Sequence, residues 1–378
     1  MTRRSAIEAF RSRYGRSPAL VVRSPGRVNL IGDHTDYNDG FVLPMAIEQA
    51  VWIAAEPRTD KRLELESLLT KAEISADLDD LTKTATWADY VTGVASEFVS
   101  AGLPLSGWNG VVASDLPAGA GLSSSAALEL ASARVFAEMA NVPWEPVSMA
   151  QLAQRAENTW VGANVGIMDQ LISACGQADT ALLIDCRSLD GSAVAVPPDV
   201  AVVVIDSGTR RGLVDSEYNE RRSTCEEVAR LGGVTALRDL DMDGLDSIRS
   251  ELTELQFRRA RHVINENAVT VKVAELLPAG DFDEVGRLMD ESHASLRDDF
   301  EISTPAMDEL VSRARSADGV HGARMTGGGF GGSAVALVDR EAAERFAIEI
   351  PQVFRERTGN DAHGFVAKAS AGTSARWQ

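Results

Sequence analysis

Apolar and polar positions along this chain switch between two periods, and the switches outline its elements. Residues 5–14 read as a short helix, and strand-like runs follow near 19–23, 41–46, 50–56 and 62–67. NGVVAS at 109–114 leads through DLPAGAGLSSS into an Ala-rich helix at about 123–140. In a further helix near 148–160, Met149, Leu152, Ala153, Ala156 and Trp160 form an apolar stripe at three- and four-residue spacing, with Ser148 as its expected N-cap. ALLID at 181–185 and AVVVID at 201–206 are continuous apolar runs of the kind buried on both faces. A helical stretch covers about 215–317, broken near Pro278-Ala279-Gly280. Strands then flank TGGGFGG at 326–332, a helix spans about 340–357, and AHGFVAKA closes the pattern. Strands and helices mixed without strict βαβ alternation predict an α+β fold rather than a doubly wound one. A chain of 378 residues is expected to form two domains, and Pro197-Pro198 suggests a border that gives 1–197 and 198–378.

Composition changes this picture little: 44% apolar and 25% charged residues suit a large buried interior. The net charge of −19 argues against nucleic acid or an anionic membrane as partner, since phosphate would be repelled. No apolar run approaches the roughly 20 residues of a membrane span, and MTRRSAIEAFRSRYG lacks the apolar core of an export signal. Cys175, Cys186 and Cys225 are odd in number and widely spaced, as expected of reduced thiols in a cytoplasmic protein. A monomer is expected.

Two glycine-rich segments invite a nucleotide-binding reading. TGGGFGG satisfies G-x-G-x-x-G but precedes a strand instead of opening a helix, so a glycine-lined turn beside a ligand fits better than a dinucleotide fingerprint. PAGAGLSSSAALELASARVF is more informative. Gly119 and Gly121 allow close backbone approach, and Ser123, Ser124 and Ser125 enter a helix whose first amides suit phosphate oxygens. A plain capped helix needs one serine, not three. The segment has no lysine of the GxxxxGK[ST] kind, so cation chemistry must come from elsewhere.

Between two apolar runs, GDHTDYNDG crowds acids, amides and a histidine into one loop. Asn38-Asp39-Gly40 is good turn chemistry, but it leaves Asp33, His34 and Asp36 unexplained. An EF-hand would need acidic or amide ligands where Thr35 and Tyr37 stand, and zinc would want more His or Cys nearby. In AENTWVGANVGIMDQ, Glu157 falls late in the amphipathic helix and Asp169 in a loop containing Gly162 and Gly166. Phosphoryl transfer needs oxygen ligands for magnesium and a group near the attacking hydroxyl. Glu157 with a serine suits the first need and Asp169 the second.

Taken in order, GRVNLIGDHTDYNDGFVLP, LPAGAGLSSSAAL and ARMTGGGFGGSAVAL resemble the three signature motifs of galactokinases, members of the galactokinase, homoserine kinase, mevalonate kinase and phosphomevalonate kinase superfamily. The resemblance continues through GIMDQ, DSEYNERRSTCEEVARL and RRARHVINENAV, over nearly the whole chain. It implies a two-lobed α+β fold with the active site between the lobes, and an ATP-dependent kinase acting on the anomeric hydroxyl of galactose. It places Asp169 at the catalytic position with Arg27 beside it, and Ser125 and Glu157 at magnesium. Gly119, Gly121, Ser123 and Ser124 line the triphosphate, and Trp87 lies near the adenine. Asp33, His34, Asp36, Gly166 and Tyr218 fall at galactose-contacting positions, where carboxylates can read hydroxyl epimers.

Asp33 stands where galactokinases usually carry Glu, which shortens its reach by about 1.5 Å and puts selectivity at the far end of the sugar in question. Ser333 replaces a common Cys and is expected to be silent. The competing readings are a superfamily kinase for a related acceptor such as N-acetylgalactosamine or galacturonate, and a non-catalytic galactose and ATP sensor. The inducers of that kind are altered within the serine-rich motif, which is complete here. A nicotinamide-dependent oxidoreductase is the remotest reading.

Overall fold

The AVVVID run becomes a strand buried along its whole length, Val200–Asp206. Val200, Val202 and Val204 join one apolar cluster while Ala201, Val203 and Ile205 join another, so this strand separates two cores. The computed structural model describes residues 2–117, 119–209 and 214–378. Its strands are β1 (Leu20–Asn29), β2 (Phe41–Val42), β3 (Pro44–Pro57), β4 (Arg62–Ser67), β5 (Glu73–Asp77), β6 (Trp108–Ser114), β7 (Thr180–Asp185), β8 (Gly191–Ala195), β9 (Val200–Asp206), β10 (Val320–Thr326), β11 (Ser333–Asp339), β12 (His363–Ala367) and β13 (Ser374–Trp377). Its helices are α1 (Arg3–Tyr14), α2 (Ala88–Ser100), α3 (Ser124–Ala140), α4 (Pro146–Arg155), α5 (Met168–Cys175), α6 (Val214–Leu231), α7 (Met242–Ser247), α8 (Glu254–Ala279), α9 (Phe282–Asp298), α10 (Pro305–Arg315) and α11 (Ala343–Thr358).

The strands form three sheets, ordered β13-β1-β3-β6-β4-β5, β10-β11-β9-β12 and β2-β7-β8. Pairing is antiparallel except between β4 and β6, which matches the α+β expectation. Pro197-Pro198 lies in the link from β8 to β9, where the chain leaves the three-stranded sheet for the four-stranded one. The closing strand β13 returns to pair with β1.

Several elements differ from the periodicity reading. The helix expected at 148–160 starts at Pro146 with Glu145, not Ser148, as N-cap, because a proline at the first helical position has its φ preset and lacks only an amide that would be unpaired there. Its last part, Ala156–Val161, is π-helical, and so Glu157 sits in a widened turn. Asp169 lies in the first turn of α5 and not in a loop. The runs at 41–46 and 50–56 are a two-residue strand and one long strand. The break expected near residue 279 is present, with Gly280 at φ +79° ending α8.

One irregularity positions the site. The β1–β3 register shifts between Pro25 and Arg27, where Gly26 alone stands opposite residues 47–49, a bulge carried by β3. A Cβ at Gly26 would lie 2.3 Å from Leu116 Cδ2 and 2.6 Å from the Leu122 carbonyl, so only glycine lets the loop ahead of α3 pack onto β1.

Candidate active site

Gly26, opposite the β3 bulge, leads directly to Arg27, a buried arginine whose guanidinium forms a two-pronged bond with Asp169. Nε donates to Oδ1 at 2.7 Å and Nη2 to Oδ2 at 2.8 Å, while Nη1 donates to the Gly121 carbonyl at 2.6 Å. The Ser123 hydroxyl also donates to Asp169 Oδ2. Asp169 keeps 28% of its side chain open. That opening faces a cavity of about 550 Å³, lined by every expected site residue except Trp87. Trp87 directly precedes α2, partly buried against the core of the first sheet; one helical turn on, Tyr90 lines the cavity instead.

At one end of the cavity the loop before α3 takes left-handed backbone at Gly119, Gly121 and Ser123. Ser123 occupies the N-cap of α3 but makes no side-chain capping bond, since its hydroxyl is turned to Asp169. The helix's first amides therefore lack a serine cap, and such amides attract anions. Ser333 was expected to be silent. It is fully buried, and its hydroxyl donates to the Ala120 carbonyl at 2.7 Å.

Behind this loop, Gln170 Nε2 donates to Glu157 Oε2 at 2.7 Å and to Glu129 Oε2 at 3.2 Å. Burial first, then the nearby Asp169, pushes the Glu157 carboxyl up to about 7, against the opposing bond from Ser125. Burial and the charge of Glu157 raise Glu129 as well. The periodicity pattern concealed Glu129, because it stands among alanines and leucines of the α3 apolar face. Ser125 with Glu157 offers hard oxygen donors, and no group of three or more acids, histidines or cysteines suited to a metal occurs among the described residues. That set fits magnesium, which usually takes one or two carboxylates and completes its shell with phosphate and water.

The opposite end is built from GDHTDYNDG. Asp36 Oδ1 accepts from the Tyr37 amide at 3.0 Å. Although part of Asp36 is open to the cavity, desolvation and the nearby Asp169 push its carboxyl up to about 6. A Cβ at Gly166 would sit 1.8 Å from Asp36 Oδ2, which explains the glycine there. His34 Nδ1 lies 2.8 Å from the Tyr37 hydroxyl, and its ring packs 5.2 Å from that of Tyr218 on α6. Asp33 is more deeply committed than the sequence suggested. Its Oδ1 accepts from the Gly327 amide at 2.9 Å, and its Oδ2 lies 2.7 Å from the buried Arg324, which also contacts Glu266 at 3.3 Å.

A bilobal α+β scaffold with an uncapped glycine-serine turn on a carboxylate-lined cavity defines the class. The family description "GHMP kinases N terminal domain" matches residues 89–177 and "GHMP kinases C terminal" matches 273–356. Mevalonate kinase shares the fold at TM-score 0.66, with 16% identity over 92% of this chain and 98% of that one. Within the class, "Galactokinase galactose-binding signature" matches residues 8–57. The chain is 47% identical to a galactokinase of Roseiflexus sp. (strain RS-1), covering 97% of this chain and 95% of that one. A galactokinase of Chloroflexus aurantiacus is 45% identical, at 97% and 96% coverage. The structure of Lactococcus lactis galactokinase complexed with galactose superposes at TM-score 0.93, with 34% identity over 97% and 98% of the two chains. The chain belongs to the galactokinase family.

Proposed function

We propose that this protein transfers the γ-phosphoryl group of ATP to the anomeric hydroxyl of galactose, giving galactose 1-phosphate and ADP. The observation that carries the reading is the Arg27–Asp169–Ser123 arrangement in the wall of the cavity. A carboxylate offers about four acceptor sites. Arg27 takes one on each oxygen and Ser123 a second on Oδ2, which leaves one on Oδ1 for the acceptor hydroxyl. Asp169 orients that hydroxyl and takes its proton as the oxygen–phosphorus bond forms and the bond to ADP breaks. Arg27, fixed by the Gly121 carbonyl, balances the charge of Asp169 and screens the moving phosphoryl group.

Asp33, His34, Asp36, Gly166 and Tyr218 read the sugar, Asp33 being also held by the Gly327 amide. Gly119, Gly121, Ser123 and Ser124 line the triphosphate, and Ser125 and Glu157 hold magnesium, which neutralises phosphate charge when bound. The expected border at residues 197/198 divides the two lobes, except that strand β13 returns to the sheet of the first and so corrects the 198–378 bound. The test is ADP release with magnesium-ATP against galactose, 2-deoxygalactose, N-acetylgalactosamine, glucose, fucose, arabinose and galacturonate. Turnover is expected with galactose and not with glucose; no hexose consumed at all rejects the reading. Fucose and galacturonate probe the end of the sugar nearest Asp33.

A further inference from the structure

Three consecutive carbonyls ahead of α3 are each held from behind. Ala120 O accepts from the Ser333 hydroxyl at 2.7 Å, Gly121 O from Arg27 Nη1 at 2.6 Å, and Leu122 O from the Arg27 amide at 3.2 Å. In a trans peptide the C=O and the following N–H point in opposite directions. Fixing these three oxygens therefore turns the amides of Gly121, Leu122 and Ser123 the other way. Gly121 and Ser123 adopt left-handed backbone, the alternation that gathers successive amides into an anion-binding concavity. Both line the cavity, as does Leu122.

Two of the three anchors come from Arg27, within the same sheet as the loop's own strand. The third crosses from β11, the second strand of the glycine hairpin, and is fully buried. We propose that Ser333 is a positioning residue for nucleotide phosphate: by holding the Ala120 carbonyl it aims the Gly121 amide into the cavity. The proposal rests on the kinase reading above and adds a group that never touches the substrate. A hydroxyl suits the role better than the thiol that family members often carry, because S–H is a weak donor.

The test is ADP binding by calorimetry, with adenosine as a phosphate-free probe measured by competition. Ser333→Ala is expected to weaken ADP about tenfold, the cost of one lost hydrogen bond, while adenosine and galactose stay within about twofold. Ser333→Cys, nearly isosteric, is expected to fall between the two, and it carries the test should the alanine variant fail to fold. A general packing defect would weaken ADP and adenosine alike, and that result overturns the proposal. So does ADP affinity unchanged in both variants. Wild-type protein that binds no ADP overturns the kinase reading and the anchor together, which separates the two failures.

Discussion

At the scale of single residues, the chemistry was legible where a residue type made no sense for a turn or a core. Asp36, Asp169 and the three serines were such residues, and they meet around one cavity. Trp87, expected near the adenine, lies outside the cavity lining, and Tyr90, one helical turn on, faces the cavity, because a sequence does not show which side of a helix turn an aromatic occupies. The hydrogen bond of Ser333 was not legible, because a small polar residue in a strand shows no partner until the fold supplies one 213 positions away in sequence. The clearest residue-level test is Asp169→Asn, which keeps the shape and removes the charge. It leaves Arg27 opposite a neutral amide with one acceptor oxygen where there were two. The kcat for galactose is expected to fall at least about a hundredfold, the lower end for loss of a general base. A loss under about tenfold in steady-state assays rejects the assignment.

At the scale of elements, long periodic segments were readable and short or interrupted ones were not. The helices over 124–140 and 343–358 fall within a few residues of expectation. β5, β8 and β13 run four or five residues each, and much of their length is exposed, so their patterns carry little signal. The strand expected near 19–23 continues through Ser24-Pro25-Gly26 to Asn29 as one element, past the bulge in β3. That bulge sets where Arg27 emerges and how closely the loop ahead of α3 lies on β1. In Gly26→Ala the new methyl would displace the flexible Leu116 side chain, but also the Leu122 carbonyl, which belongs to the anchored loop. The expected result is a loss of about 1–3 kcal/mol of stability from overpacking, together with weaker ADP binding. Unchanged denaturation and calorimetry curves would show that the close approach plays no part.

At the scale of the whole molecule, the α+β class was visible in the mixed pattern, but the seams between elements distant in sequence were not. One such seam joins the GDHTDYNDG loop, α8, α9 and β10 through Asp33, Glu266, Ser292 and Arg324, all buried. His293 lies in it. Its Nδ1 accepts from the Met325 amide at 3.3 Å, which leaves the proton on Nε2, 3.4 Å from Asp308 Oδ1. Burial first, then the positive charges of Arg315, Arg324 and Arg297, outweigh the opposing charge of Asp298 and push His293 down to about 3 from an ordinary 6.5. The sign follows from proton uptake. Between about 6.5 and 3 the unfolded chain binds a proton on this ring that the folded chain refuses, so the contribution is complete above 6.5 and is lost as pH falls. The raised carboxyls of Asp36 and Glu157 act in the opposite direction, so total stability is a poor readout. A difference against His293→Asn cancels them, because the amide oxygen can replace Nδ1 as acceptor and does not titrate. From pH 7 to 5 the wild type is expected to lose about 2 kcal/mol relative to the variant, close to 1.4 per unit below 6.5. Denaturant unfolding at the two pH values measures it, and a constant difference would mean that the ring titrates alike in the folded and unfolded chain.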